Sequence, residues 1–371
     1  MKVALAIFKY FPHGGLQRDF LRIACELLRR GHEVTAFTYL FDGEVPEGMK
    51  VVLFGSSALT NHGRAADFER LFAARARGFD LKVGFNRIRG LDFYFAADNC
   101  IMTEALERYP AWFLRLSPRH RALLGQERAV MEPGSPTKIF YIAEKQKRDF
   151  QKFYGTQEER FFFLPPGLNE ACFRPADATA RRAAKRRALG LMEEETLLIL
   201  IGSFFEGKGA DRLLRAVASL PEPRRSSCRA ALVGAMPPAA CRRYCRKLGL
   251  DPERLLLPGA VSDVPDWLLA ADLMVHPARK EATGTVIVEA LAAGLPVIAS
   301  GECGYACYAA EAGGCELETP FVQGELDRVL ADFLVPEKLR SLKEQAIAYG
   351  AKADFRRRSS CAADILEHSH A

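Results

Sequence analysis

No stretch of this 371-residue chain holds the roughly 18–20 consecutive apolar residues that a membrane-crossing helix needs. Among its ten cysteines there is no Cys-x-x-Cys. Cys241 and Cys245, and likewise Cys303 and Cys307, stand four apart, with no histidines around them at zinc-finger spacing. That pattern excludes a zinc module and predicts reduced thiols, no structural metal and a cytoplasmic compartment. The start, Met1 to Phe8, has the apolarity of a short leader. It breaks at Lys9 without a small-residue cleavage site and reads as a first strand. No internal repeat or low-complexity run is present. Neither charge sign dominates, since 52 Lys/Arg stand against 46 Asp/Glu. Residues 1–170 carry 25 against 20 and residues 171–371 carry 27 against 26, so the basic excess lies in the first half. That modest field suits an anionic membrane face or a phosphorylated ligand, with a generic basic surface as the plainer alternative, and no nucleic-acid partner is expected.

The length is comfortable for two domains. Strand candidates Lys2–Phe8, Glu33–Tyr39, Val51–Phe54, Leu81–Phe85, Phe93–Ala96, Lys138–Ile142 and Phe161–Leu164 are punctuated by helical patterns. The first crossover is a Gly-rich turn, Phe11-Pro-His13-Gly14-Gly15. It precedes a helix expected over Leu16–Arg30, with a stripe of Phe20, Ile23, Leu27 and Leu28 and a stop at Gly31. Gly14 and Gly15 let backbone come close to a phosphate. Pro165-Pro166-Gly167 marks a hinge. The expected division is therefore residues 1–167 and 168–353, two Rossmann-like α/β domains, with the tail 354–371 packing back on the first. In the second domain Thr196–Ile201 runs into Gly202-Ser203 and a loop with Lys208. Asn61 opens another helix, as a cap or as a ligand contact. Asp98 ends a strand, as a cap, a contact or a base.

The organising stretch is Glu281-Ala282-Thr283-Gly284-Thr285-Val286-Ile287-Val288-Glu289, between a strand that starts at Leu273 and breaks off into His276-Pro277 and a second strand, Pro296–Ala299. In a strand–loop–helix–strand unit the loop and helix start lie at the carboxyl ends of parallel strands, where open sheets bind ligands. Backbone N–H groups at Thr285–Val286 favour a phosphate there. A carboxylate only accepts hydrogen bonds and so matches sugar hydroxyls, Glu281 those of a sugar and Glu289 the adjacent pair of a ribose. The plainer alternative is two solvated glutamates. Glu289, however, is set in an apolar helix and needs a partner.

Glu281-x7-Glu289, with Gly284 and Ala293-Gly-Leu-Pro-Val-Ile298, resembles the donor-site signature of retaining GT-B glycosyltransferases of family 4. Lys9–Asp19, Gly84-Phe-Asn86, Tyr94–Asp98, Leu164-Pro-Pro-Gly167 and Cys303-Gly-Tyr305 resemble its lipopolysaccharide core glucosyltransferase branch, over roughly residues 1 to 350. The resemblance implies two Rossmann-like domains facing each other across a cleft, and transfer of a hexose from a UDP-sugar to heptose II of the inner core. Glucose is the default, with galactose or N-acetylgalactosamine open. It implies no cofactor beyond the donor, and no Asp-x-Asp pair stands at a strand end to hold a metal. It implies catalytic parts for Glu281, Asp19, Lys208 and Asp98. Donor contacts are implied at Gly14, Gly15, Gly202, Ser203, Lys208, and Glu281 through Val286 with Glu289. Contacts on the acceptor or membrane side are implied at Arg18, Asn61, Trp112, Phe113, Arg115, Arg119 and His120. Ser203 departs from the family, which carries arginine there. Lys208 then neutralises the leaving diphosphate alone, or with Arg279, Lys280 or Arg174.

Residues 101–132 interrupt the βα rhythm with Tyr109, Trp112 and Phe113 among Arg108, Arg115, Arg119 and Arg121. Rings and arginines together suit an anionic membrane face. The resemblance implies the same, with the protein peripheral on the inner face of the inner membrane. The alternatives are a two-helix insertion packed inward and a His120 that faces the donor sugar. Two rival functions share the architecture, a UDP-sugar epimerase and a catalytically silent membrane-associated partner.

Overall fold

The computed structural model describes residues 1–12 and 14–370; His13 of the Gly-rich turn lies outside them. The chain forms two compact units, Met1–Gly167 with Arg356–Ala371, and Leu168–Phe355. In the first unit seven strands make one parallel sheet. They are β1 (Lys2–Ala6), β2 (Glu33–Thr38), β3 (Lys50–Leu53), β4 (Leu81–Gly84), β5 (Phe93–Ala96), β6 (Lys138–Tyr141) and β7 (Phe161–Phe163). Their order is β3-β2-β1-β4-β5-β6-β7, with Val3 opposite Val34 on one side and Leu81 on the other. The second unit repeats the plan. Its strands β8 (Thr196–Ile201), β9 (Cys228–Val233), β10 (Leu255–Gly259), β11 (Leu273–His276), β12 (Val297–Ser300) and β13 (Cys315–Leu317) run in the order β10-β9-β8-β11-β12-β13. The order reverses between β1 and β4 in one unit and between β8 and β11 in the other. A crevice opens at such a reversal, beyond the carboxyl ends of the strands.

Parallel strands covered on both faces run nearly continuously apolar. On β1, Val3 and Leu5 join Phe20, Ile23 and Leu27, while Ala4 and Ala6 join Phe37, Phe68 and Phe72. On β8, Leu197 and Ile199 meet Ile287 and Leu291, while Leu198 and Leu200 meet Leu213 and Leu214. Each Val, Leu, Ile or Phe among them contributes roughly 1.5–3 kcal/mol by leaving water, and each alanine less. Asp272, at the foot of β11, is a polar tie within this apolar plan. It accepts from Arg182 (2.6 Å), Arg186 (3.0 Å), Lys343 (2.5 Å) and the Leu197 amide (2.7 Å). Burial works to raise its carboxyl, and the surrounding cations outweigh that and hold it low.

The helix Gly15–Arg29 buries Phe20, Ile23 and Leu27, and the last helix, Arg358–His370, packs on it through Ala362, Ala363 and Leu366. Residues 101–131 are three helices, Ile101–Arg108, Ala111–Leu116 and Pro118–Met131, divided at Pro110 and Ser117. The helix Glu144–Tyr154 was not apparent from the sequence, because its few apolar residues are outnumbered by Lys145, Lys147, Arg148 and Lys152. The ten cysteines are free thiols. No helix among the described residues is long and apolar enough to cross a membrane.

Candidate active site

The reversal point of the second unit gathers charge. Beyond β8 the chain turns through Gly202-Ser203 to Lys208, and beyond β11 it passes His276-Pro277 to Glu281. Glu281 Oε1 accepts from Lys208 Nζ at 2.6 Å, and Oε2 lies 2.6 Å from His276 Nε2. His276 is fully buried, and its Nδ1 has no hydrogen-bond partner among the described residues. Burial would raise the Glu281 carboxyl. The hydrogen bond and charge of His276, then those of Lys208, outweigh it and bring the pKa down to about 2. Glu281 is thus an acceptor-only anion at any ordinary pH.

Backbone geometry fixes the trio. The Lys208 stem lies on Gly202, where an added Cβ would come within 2.8 Å of Lys208 Cγ. Gly209, at φ +77°, caps the helix Ala210–Ser219, and an added Cβ there would sit 2.1 Å from the Pro277 carbonyl oxygen. Arg212 donates to the Pro277 carbonyl oxygen at 3.0 Å and so pins the turn that carries Glu281. Gly284, left-handed, caps the helix Thr285–Ala292, whose first turn holds no acidic residue. Its N–H groups therefore keep their partial positive charge for a ligand. Ala282, Thr283, Thr285, Val286 and Glu289 are half-exposed along this edge, and the Tyr305 amide donates to the Thr283 carbonyl oxygen at 2.7 Å.

Of the cations weighed against Ser203, which is half-exposed, two are committed elsewhere. Arg279 grips both carboxylate oxygens of Asp211 at 2.7 and 2.8 Å. Arg174 closes the far end of the helix Thr285–Ala292, donating from its amide to the Ala292 carbonyl oxygen and from its guanidinium to that of Ala293. Lys208 holds the position at Glu281. His276, Glu281 and Cys303 offer three ligand atoms within 4.8 Å of one another, the set among the described residues that could take a metal. Lys208 already holds one oxygen of that carboxylate.

In the first unit Gly14 and Gly15 open the helix Gly15–Arg29, with open space where a Gly15 Cβ would stand, and Arg18 is exposed. Asp19 is paired within the unit. Its carboxylate is buried and accepts from Arg358 at 2.6 Å, and the same guanidinium donates to the Pro165 carbonyl oxygen at 2.8 Å. The pair seals the last helix to the first. Asp98 lies two residues beyond the end of β5 and is two-thirds exposed, 4.0 Å from Arg87. The cap at Asn61 is Thr60, whose hydroxyl accepts from the Gly63 amide, so Asn61 is left at the mouth of a cavity of about 720 Å³. Arg119 lines the same cavity. Trp112 (64% exposed), Leu116 (70%) and Arg115 face outward, while Phe113 stacks on Tyr109 at 5.0 Å. His120 is enclosed by those two rings and bonded to Ser117 Oγ at 2.8 Å.

Sequence reasoning missed His276. Its signal was a histidine closing an otherwise apolar strand, Leu273-Met-Val-His276.

Residues 181–351 match the family model described as glycosyl transferases group 1. The chain is 39% identical over 370 residues to the lipopolysaccharide glucosyltransferase WaaG of Escherichia coli strain K12, covering 99% of this chain and 98% of that protein. It superposes on the crystal structure of WaaG, a glycosyltransferase involved in lipopolysaccharide biosynthesis, with a TM-score of 0.84 at 38% identity, over 98% of this chain and 99% of that one. Anabaena Alr3699/HepE, solved in complex with UDP and glucose, shares the fold with a TM-score of 0.71 at 19% identity, over 100% and 99% of the two chains.

Proposed function

The chain belongs to the WaaG family of lipopolysaccharide glucosyltransferases, GT-B enzymes of glycosyl transferases group 1, and from there we propose that it moves glucose from UDP-glucose to heptose II of the lipopolysaccharide inner core, with retention and without a metal. The observation that carries this reading is Glu281 held between Lys208 and His276 beside the helix start at Thr285. As the donor enters, Glu281 exchanges the lysine for sugar hydroxyls and the Lys208 ammonium turns to the diphosphate. His276 keeps the carboxylate aimed. The bond from C1 to the β-phosphate oxygen breaks, and negative charge grows on that oxygen. Lys208 and the N–H groups of Thr285 and Val286 meet it, so the fixed charges stabilise the transition state more than the ground state. An acceptor hydroxyl bonds C1 on the face the phosphate leaves, its proton passes to a phosphate oxygen, and UDP departs. Glu281 orients the sugar, Glu289 holds the ribose, and no cofactor is needed beyond the donor. Trp112, Leu116 and Arg115 rest on the anionic inner face of the membrane that carries the acceptor.

The test is thermal shift with UDP, GDP and ADP, then product analysis with UDP-glucose and a heptose-bearing inner core in EDTA. Stabilisation by UDP and an α-linked glucosyl product are expected. Conversion of UDP-glucose with no acceptor would replace this reading by epimerisation, and silence toward every nucleotide would end it.

A further inference from the structure

The first unit's cavity of about 720 Å³ is lined by Lys9, Arg64 and Arg119, with His62 beside them, and no carboxylate lines it. That volume is in the range of a small-molecule site. Its cations are not spent on the protein. Neither the Lys9 ammonium nor the Arg119 guanidinium has an ion-pair or hydrogen-bond partner among the described residues, and Arg64 uses only Nε, donating to the Ala58 carbonyl oxygen at 3.1 Å. The neutral groups are set to donate as well. Asn86 Oδ1 accepts from the Phe8 amide at 2.7 Å, which leaves its NH₂ for a ligand. Three exposed cations line one concave wall with no carboxylate among the lining residues. An anion entering there meets charge-assisted donors, and arginine matches phosphate or carboxylate oxygens two at a time.

We propose that this cavity recognises an anionic group, a phosphate monoester or a carboxylate, carried by the acceptor sugar chain itself, and that Lys9, Arg64 and Arg119 set the enzyme's preference for charged over neutral acceptors. The inference rests on the reading of the chain as a transferase to an inner-core glycan and names the chemistry its acceptor must carry. A neutral acceptor leaves the three cations unmatched. A charged one exchanges water for charge-assisted hydrogen bonds.

The experiment compares a water-soluble inner-core oligosaccharide with its anionic groups intact against the same glycan dephosphorylated and esterified, for wild type and for Lys9→Gln, Arg64→Gln and Arg119→Gln. Wild type is expected to favour the charged glycan by roughly tenfold or more in kcat/KM, with the difference in KM. Each variant is expected to lose most of that preference, and salt to slow only the charged acceptor. The KM for UDP-glucose should not move. Equal losses on both glycans would overturn the proposal. So would variants that weaken sedimentation with anionic vesicles yet keep the preference, since the cations would then serve lipid phosphate. If wild type transfers to neither glycan, the functional reading fails. Equilibrium binding of the two glycans without donor still decides the anion site, which is upheld by tighter binding of the charged form that the variants abolish and overturned by equal binding.

Discussion

The two polar regions differ in how the protein treats its own charge. At Glu281 the chain supplies both signs, with carboxylate, ammonium and imidazole already joined at 2.6 Å. At the cavity of Lys9, Arg64 and Arg119 it supplies one sign and nothing to balance it. The first arrangement is organised before any ligand arrives, and a ligand enters by exchanging partners. The second is organised to be completed, and the ligand brings the missing charge. Pre-pairing suits a group whose orientation must be exact to a fraction of an ångström during bond breaking. Unpaired cations suit selection of what enters.

Removing Glu281 breaks the comparison most severely. Glu281→Ala should cut kcat by about 10²–10³ while circular dichroism stays native. Full activity would sink the site assignment. Next, Asp19→Ala leaves Arg358 buried without its carboxylate and should cost about 3–5 kcal/mol in urea unfolding, with activity per folded molecule retained. Lost activity at unchanged stability would return Asp19 to the chemistry. The pre-paired site also has a signature in acid. The Glu281 pKa is depressed from 4.5 to about 2 on folding. Its contribution is therefore fully present above pH 4.5 and is lost as pH falls toward 2, a matter of about 3 kcal/mol. Glu281→Gln should flatten that limb of the melting curve, and an unchanged limb would show the carboxylate is not so held. The smallest effect belongs to the exposed rings. Trp112→Ala should weaken binding to anionic vesicles by roughly tenfold, about 1–2 kcal/mol of buried ring, with kcat on a soluble acceptor unaltered. Unchanged sedimentation would remove the membrane contact.

Much of this was legible along the chain. Both sheets announce themselves because strands covered on both faces read as nearly continuous apolar runs, as Leu197 to Ile201 illustrate. Glu281 and Glu289 stood out because a carboxylate in or beside an apolar helix must be matched by something. What stayed hidden lies in pairings across long distances in sequence. Asp19 looked available because its partner, Arg358, is 339 positions away. Arg279 and Arg174 looked like spare cations until Asp211 and the helix end at Ala292 and Ala293 took them. His276 was lost in its strand because a histidine at the end of an apolar run differs from a core residue only by what stands opposite. The short helices at 101–131 were obscured because their hydrophobic residues face two ways, Leu114 inward and Trp112 outward.

The last helix belongs to the unit that begins the chain. Synthesis runs from the amino end at roughly 5–20 residues per second, so the Gly15–Arg29 helix emerges long before Ala362, Ala363 and Leu366, which cover it. The Leu168–Phe355 unit is contiguous and can close as soon as it leaves the ribosome. The unit that is made first is therefore finished last, and a chain released after residue 355 would have its late half folded while its early half still showed an apolar seam to chaperones.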